Sequence, residues 1–320
     1  MITRRNTLAS FAVAAALALS GGAAFAEAPE SFKVGYQKSA SILVIARKQE
    51  LLEKRLAELG VDKVEWVEFQ FGPPLLEALG SGAVDIGFVG DAPPIFAQAA
   101  GANLVYVAST PSVFSGILVP EDSETKEIAD LEGKRVALAK GSSSHNFTVQ
   151  ALKVGGLGFD AIQPSYLAPA DAAAAFASGA VDAWTVWDPY LALAEQRHGA
   201  RLLATSETDP ALQSNSFYLA NRSFAEAHPD VVDAALQEIA AATRWGAAHR
   251  DDLAEISAQA TGVDLAAQKV AVNRYEIAVY PITEETLAKQ QAIADAFFEL
   301  GLIPKAIDVT AYAWGEKPNI

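Results

Sequence analysis

Apolar positions in this chain recur with two alternating periods. Phe32-Lys33-Val34-Gly35-Tyr36 reads as a strand, and Ile42 to Leu59 carries apolar residues at helical spacing. Val64 to Phe69 alternates as a strand does; Pro74 to Leu79 is helical, Val84 to Val89 a strand, Pro93 to Ala100 helical, and Leu104 to Ala108 a strand. After about Ile117 the series begins again. Strands are predicted at Arg135–Ala139, Ser165–Leu167, Val181–Val186 and Arg201–Ala204, with helices at His145–Val154, Ala170–Phe176 and Pro189–Arg197 between them. Beyond Phe224 the pattern is almost wholly helical, punctuated by Gly262, Pro281 and Gly301. Strands alternating with helices predict an α/β fold with a mainly parallel sheet.

The strongest organisational signal is an internal echo. Residues 81–91 read SGAVDIGFVGD and residues 178–188 read SGAVDAWTVWD. A weaker echo relates KVGYQKS (33–39) to RVALAKG (135–141), in the same order. Two lobes of similar design follow, with lobe one expected over residues 27–117 plus 218–320 and lobe two over 118–217. Helix–strand packing can also reuse such local solutions. In open α/β sheets ligands sit outside the carboxyl ends of strands. Four strand-to-helix junctions would then face one cleft: Gln37-Lys38-Ser39, Gly90-Asp91-Ala92, Gly141-Ser142-Ser143-Ser144 and Trp187-Asp188-Pro189.

The first 26 residues change the picture of where the protein works. Arg4 and Arg5 are followed by an Ala- and Leu-rich stretch without charge, ending in Ala24-Phe25-Ala26. This is the layout of a secretory signal peptide cleaved after Ala26. Its dense apolar part, about Leu8 to Leu19, is shorter than the roughly 20 residues a membrane span needs. Thr3-Arg4-Arg5-Asn6-Thr7-Leu8 also resembles a twin-arginine signal, which leaves both export routes open. Cleavage leaves 294 of the 320 residues, enough for two domains. The leader lacks a cysteine for lipid attachment, as does the whole chain, so a freely diffusing, monomeric periplasmic protein is expected. The missing cysteines also exclude disulfides, thiolate nucleophiles and Cys-based metal sites. The net charge of −15 becomes −17 once the two arginines are removed, and no basic footprint for nucleic acid is present.

Chemistry is sought at the four junctions. Helix N-termini expose unpaired N–H groups and partial positive charge, which makes them anion sites. Gly141-Ser142-Ser143-Ser144 adds hydroxyl donors, so Ser142 and Ser143 are candidate ligands, although serine is also an ordinary helix cap. His145 could donate to an anion or serve as a local structural partner. Gln37 offers neutral donors and is preferred to Lys38. Asp91 and Asp188 read first as helix N-caps, with acid–base work or an ammonium partner as the alternative. Trp184 and Trp187 are three apart in a strand and face opposite sides; one would line the cleft. No G-x-S-x-G, H-E-x-x-H or P-loop is present, and the four histidines lack metal-ligand spacing. No enzyme, no metal and no cofactor are expected.

At these residues the chain resembles the periplasmic aliphatic sulfonate-binding proteins of ABC importers, within the nitrate/sulfonate/taurine-binding group. The matching strings are VGYQK (34–38), WVEF (66–69), GDAPPIFAQAAGA (90–102), KGSSSHN (140–146), GAVDAW (179–184) with WDPY (187–190), and SFYLA (216–220). Asn215 and Ala92 depart from the family's usual residues. The resemblance implies a type II periplasmic-binding-protein fold, two α/β lobes with a ligand cleft between them, joined by two crossovers. It also implies a sulfonate as ligand and an inner-membrane permease and ATPase complex as partners. It puts Gln37, Gly90, Asp91, Ser142, Ser143, His145 and Trp184 around the ligand, and Asp188 lies at the remaining junction. A binder of taurine, nitrate or an aromatic sulfonate is the alternative, and an enzyme on the same fold a further one, since fold alone does not set function.

Overall fold

The SGAVD echo has a local physical cause. In the computed structural model, which describes residues 28–197 and 199–320, both copies end a helix and launch a strand. Gly82 (φ 77°) and Gly179 (φ 71°) occupy the left-handed region that only glycine enters cheaply. The next residues bond back to the preceding helix, Ala83 N to Ala78 O at 2.8 Å and Ala180 N to Ala175 O at 2.9 Å. Val84 and Val181 are buried. The aspartates then clamp the neighbouring strand: Lys33 N donates to Asp85 Oδ2 at 2.7 Å, and Arg135 N to Asp182 Oδ2 at 2.8 Å. The repeated pentapeptide is thus a helix-to-strand junction used twice, at equivalent places in two sheets. The expected leader and its cleavage after Ala26 lie outside the described residues.

The first sheet is built by β1 (Ser31–Gln37), β2 (Lys63–Phe69), β3 (Ile86–Val89) and β4 (Leu104–Pro111). Between them run α1 (Ser41–Lys48), α2 (Leu51–Ala57), α3 (Gly72–Gly80) and α4 (Ala92–Ala99). The single helix expected over Ile42–Leu59 is two, because Glu50 adopts φ 54° and breaks it between α1 and α2. The second sheet contains β5 (Ser115–Pro120), β6 (Arg135–Leu138), β7 (Gln163–Tyr166), β8 (Ala183–Trp187) and β9 (Ala200–Thr205), with α5 (Ser143–Val154), α6 (Pro169–Ala177) and α7 (Tyr190–Arg197). β10 (Asn215–Asn221) follows, then α8 (Arg222–Ala227), α9 (Pro229–Ala248), α10 (Arg250–Thr261), α11 (Leu265–Asn273) and α12 (Glu284–Glu299).

Strand order is β2-β1-β3-β10-β4 in the first sheet and β7-β6-β8-β5-β9 in the second. The two orders correspond. β1 and β6 are each flanked by two parallel neighbours, and β10 and β5 are antiparallel to both of theirs. The echoed strings fall on the matching pairs β1/β6 and β3/β8. Residues 112–114 and 206–214 connect the sheets. Residues 115–117 therefore pair within the second sheet and 215–217 within the first, so both crossings fall a few residues before the boundaries expected at 117/118 and 217/218. Each sheet is covered by apolar clusters on both faces. A smaller cluster of Ile45, Leu253, Ala254, Val272 and Ile277 joins α1, α10 and α11. Among the described residues no helix is long and apolar enough to cross a membrane.

Candidate functional site

The carboxyl ends of β1, β3 and β8 and the start of α5 converge where the two sheets meet. Gln37, Ser39, Gly72, Phe88, Gly90, Pro93, Val113, Ser142, Ser143, Trp187 and Ser216 line a cavity there. A second chamber shares Ser39, Phe88 and Val113 as walls and continues past Ser41, Ile42, Thr110, Tyr218, Thr243, Tyr275 and Ile277. Both are narrow, with cavity volumes of about 20 and about 30 Å³. Every lining residue is uncharged. One end is rich in serine, and the other mixes aliphatic and aromatic side chains with Ser41, Thr110, Thr243 and the tyrosines.

Backbone donors come from two helix starts of different sheets, α5 at the serine-rich end and α1 in the second chamber. At α5, Ser142 is the N-cap and its hydroxyl is fully engaged: it accepts from Ser144 N at 3.2 Å and donates to Ala139 O at 2.7 Å. His145 N is taken by Ser142 O, but Ser143 N meets no acceptor among the described residues, and its hydroxyl is likewise uncommitted. At α1, Ala40 provides no side-chain cap, and the N–H groups of Ile42 and Leu43 have no acceptor among the described residues. Ser143 borders the serine-rich end and Ile42 the second chamber, and helix ends favour negative charge there. Gln37, buried at the end of β1, donates through Nε2 to Phe88 O at 2.9 Å, which fixes the side chain and leaves its second N–H available.

Gly90 and Asp91 hold the seam between the halves. A Cβ at Gly90 would stand 2.8 Å from Ser143 Cβ, so the glycine is what allows α5 to approach. Asp91, 1% exposed, accepts from Ala92 N at 2.7 Å as the cap of α4, and from Asn146 Nδ2 of α5 at 2.6 Å. Burial pushes its carboxyl up to about 6 against these hydrogen bonds. The next two residues of α4, Pro93 and Pro94, have no N–H, so this helix start presents almost nothing to an anion.

Three other sequence candidates sit differently. Trp184 packs against Phe176 in the core of the second sheet, centroids 6.1 Å apart, and Trp187 rather than Trp184 lines the cavity. His145 is fully buried away from the cavity, where Phe96 and Phe297 from the first half and Phe159 and Tyr166 from the second surround its ring. Its Nδ1 accepts from Gly141 N at 3.2 Å, and burial, with Lys140 nearby, pushes it down to about 4. Asp188 caps α7, accepting from Ala192 N at 2.9 Å, and is not in the cavity wall. Burial pushes it up to about 7, opposed by Arg274. Both lysines at the junctions lie outside. Lys38 Nζ is 3.8 Å from Glu68, and Lys140 extends over the ring of Tyr166. Val113, Ser216 and the distal chamber were not among the sequence candidates, and Ser39 was placed in a cleft-facing junction without being singled out; Ser216 had a signal in the SFYLA string, whereas Val113 and Tyr275 carry none. Among the described residues no cluster of three His, Asp or Glu side chains could hold a metal ion.

The sequence profile described as NMT1/THI5 like matches residues 63–253. A protein of Escherichia coli (strain K12) named for aliphatic sulfonates binding is 43% identical over 316 residues, covering 97% of each chain. Among solved structures, the alkanesulfonate-binding protein of Xanthomonas axonopodis pv. citri bound to MOPS is 39% identical, with a TM-score of 0.84 over 89% of this chain and 98% of that one. The periplasmic aliphatic sulphonate binding protein of Escherichia coli is 42% identical, with a TM-score of 0.81 over 89% and 92%. The chain belongs to the NMT1/THI5-like family, alongside the aliphatic sulfonate-binding proteins.

Proposed function

We propose that this protein is a periplasmic substrate-binding protein that captures an organic sulfonate, encloses it between two lobes, and hands it unchanged to an inner-membrane ABC permease and ATPase complex. The observation that carries the reading is the charge-free cavity, walled at one end by serines, the open Ser143 amide and Gln37, and at the other by aliphatic and aromatic side chains interspersed with hydroxyls. A sulfonate is ionised throughout the physiological pH range, so it accepts hydrogen bonds and donates none. Fixed neutral donors in a cleft of low polarity suit it, because hydrogen bonds to a charged group are strong there. The acidic chain repels anions at long range, and short-range donors must supply the affinity. The aliphatic and aromatic side chains of the second chamber suit an organic tail, which nitrate lacks.

In this reading Ser143, through its hydroxyl and its open amide, and Gln37 hold the head group. Trp187, Phe88 and Val113 flank the junction of head and tail. Ser142, Asp91 and Gly90 shape the site, and His145, Trp184 and Asp188 support it from behind. The lobes, 27–114 with 215–320 against 115–214, move as rigid bodies on their two connections. The chain is exported by its leader, cleaved after Ala26, and acts as a monomer without cofactor. Calorimetry with MOPS, linear alkanesulfonates, taurine and nitrate tests the reading, with mass spectrometry of the recovered ligand. Sulfonates with a tail should bind most tightly and be recovered intact. Nitrate as the tightest ligand, or turnover of a sulfonate by the purified chain, would overturn it.

A further inference from the structure

Outside the cavity, α11 is tied to α7 at both of its ends. At its start, Arg197 of α7 donates to Asp264 Oδ2 through Nε at 2.9 Å and through Nη2. At its end, Arg274 places Nη2 2.6 Å from Glu195 Oε2 and Nη1 3.8 Å from Asp188 Oδ1, with its guanidinium 5.0 Å over the ring of Phe114. The two helices belong to different halves. Val272 of α11 shares a buried cluster with Ile45 of α1, whereas Leu191 and Ala194 of α7 pack with Trp187 on the second sheet. These ion pairs therefore span the cleft.

The two ties differ in kind. Arg197 and Asp264 are half exposed, and such a pair contributes little. Asp188 is 3% exposed, its Oδ2 has no hydrogen-bond partner, and among the described residues Arg274 is the cation that faces it. The other titratable groups at this place are Glu195 and Tyr275. Both sides of the tie continue directly into the cavity wall: Trp187 precedes Asp188, and Tyr275, Ile277 and Ala278 follow Arg274.

We propose that Arg274 is a positioning residue for ligand capture, bridging Asp188 and Glu195 so that the wall at 275–278 is stapled to the Trp187 wall whenever the halves close, with or without ligand. The proposal rests on the binding reading above. Opening the cleft returns both carboxylates to water; closing it without the arginine would bury two like charges side by side, which is costly. The sign of the pH effect follows. The enclosed Asp188 has a raised pKa, so enclosure is favoured at low pH and weakened as pH rises through about 7. Removing Arg274, which opposes that rise, makes the dependence steeper.

The test compares wild type with Arg274→Gln and Arg274→Lys. The chain has no cysteine, so the exposed Ala57 and Ala177 can each be changed to Cys and labelled, and the interlabel distance read without ligand and with MOPS at pH 5.5 and 8. Arg274→Gln should lengthen the distance in ligand-free protein and accelerate MOPS dissociation about tenfold or more at pH 8, with a smaller effect at pH 5.5. Arg274→Lys should recover part of the loss. Arg197→Gln should change dissociation less than about twofold, as an exposed pair predicts. Glu195→Gln, which keeps the arginine, serves if Arg274→Gln does not fold; it should flatten the pH dependence. Unchanged distance and dissociation in Arg274→Gln at pH 8, or an equal loss at both pH values with no rescue by lysine, would overturn the staple. If wild type binds no sulfonate, the binding reading fails, and the ligand-free distance still decides the staple.

Discussion

The starts of α4 and α5 meet across the same seam, yet they spend their backbone donors in opposite ways. Asp91 takes the first N–H of α4, and two prolines delete the next two. At α5 the cap serine turns its hydroxyl inward to Ala139 O and leaves Ser143 N open. A helix N-terminus is therefore an anion site only where its donors are not already used. The acidic start braces the closed seam through Asn146, and the neutral start is free to hold the ligand.

Substitutions at five positions sharpen or break this comparison. The largest effect is expected at His145, in the first turn of α5 but behind the site. Its folded pKa is depressed to about 4, against about 6.5 in the unfolded chain. Its contribution to stability is thus complete above about pH 6.5 and falls by about 3 kcal/mol towards pH 4. In denaturant titrations His145→Phe should lose this acid sensitivity while keeping a roughly constant offset for the stranded Gly141 N–H. An unchanged pH profile would mean that His145 is not enclosed in solution.

Ser143→Pro is next. Proline is tolerated at the first helical position and follows the extended backbone of Ser142 without strain, so the change deletes one N–H with little cost to folding. Removing a hydrogen bond to a charged group costs roughly 1.5–3 kcal/mol, about 10- to 150-fold in Kd. Ser143→Ala, measured alongside by calorimetry, separates the hydroxyl's share. Equal affinity in the proline variant and wild type would remove the α5 amide from the account.

Gly90→Ala should cost about 1–3 kcal/mol of closure, because the new methyl overlaps Ser143. Scattering should show it less compact with ligand than wild type; identical compaction would mean that the seam does not close so tightly. The smallest effects belong to Lys38→Ala and Lys140→Ala, each expected below about threefold in Kd, as solvated charges contribute little. A tenfold loss in either would show that ion pairing, rather than the open amides, supplies the affinity.

Much of the architecture was legible in the chain. The alternation of periods, the paired SGAVD strings and the glycine–serine run of α5 all express local rules: strand burial, a left-handed glycine turn, a helix cap. The Asp91 and Asp188 caps were legible for the same reason, since a cap bonds to amides a few residues away. The break at Glu50 was not, because no Gly or Pro marks it.

Which cap hydroxyl stayed free, which tryptophan faced the cavity, and where His145 went depended on partners far along the chain. Ser143 matters because Gly90, 53 residues earlier, lets it approach. His145 is buried because Phe96 and Phe297 from the opposite half close over it. The distal chamber draws Thr243, Tyr275 and Ile277 from a helical tail whose own periodicity reports only its packing. By itself the sequence determined the α/β repeat and the helix caps, since each depends on near neighbours. The cavity's walls, the ties across it and the orientation of its donors were decided by tertiary structure, because they arise only when two separately folded sheets are pressed together.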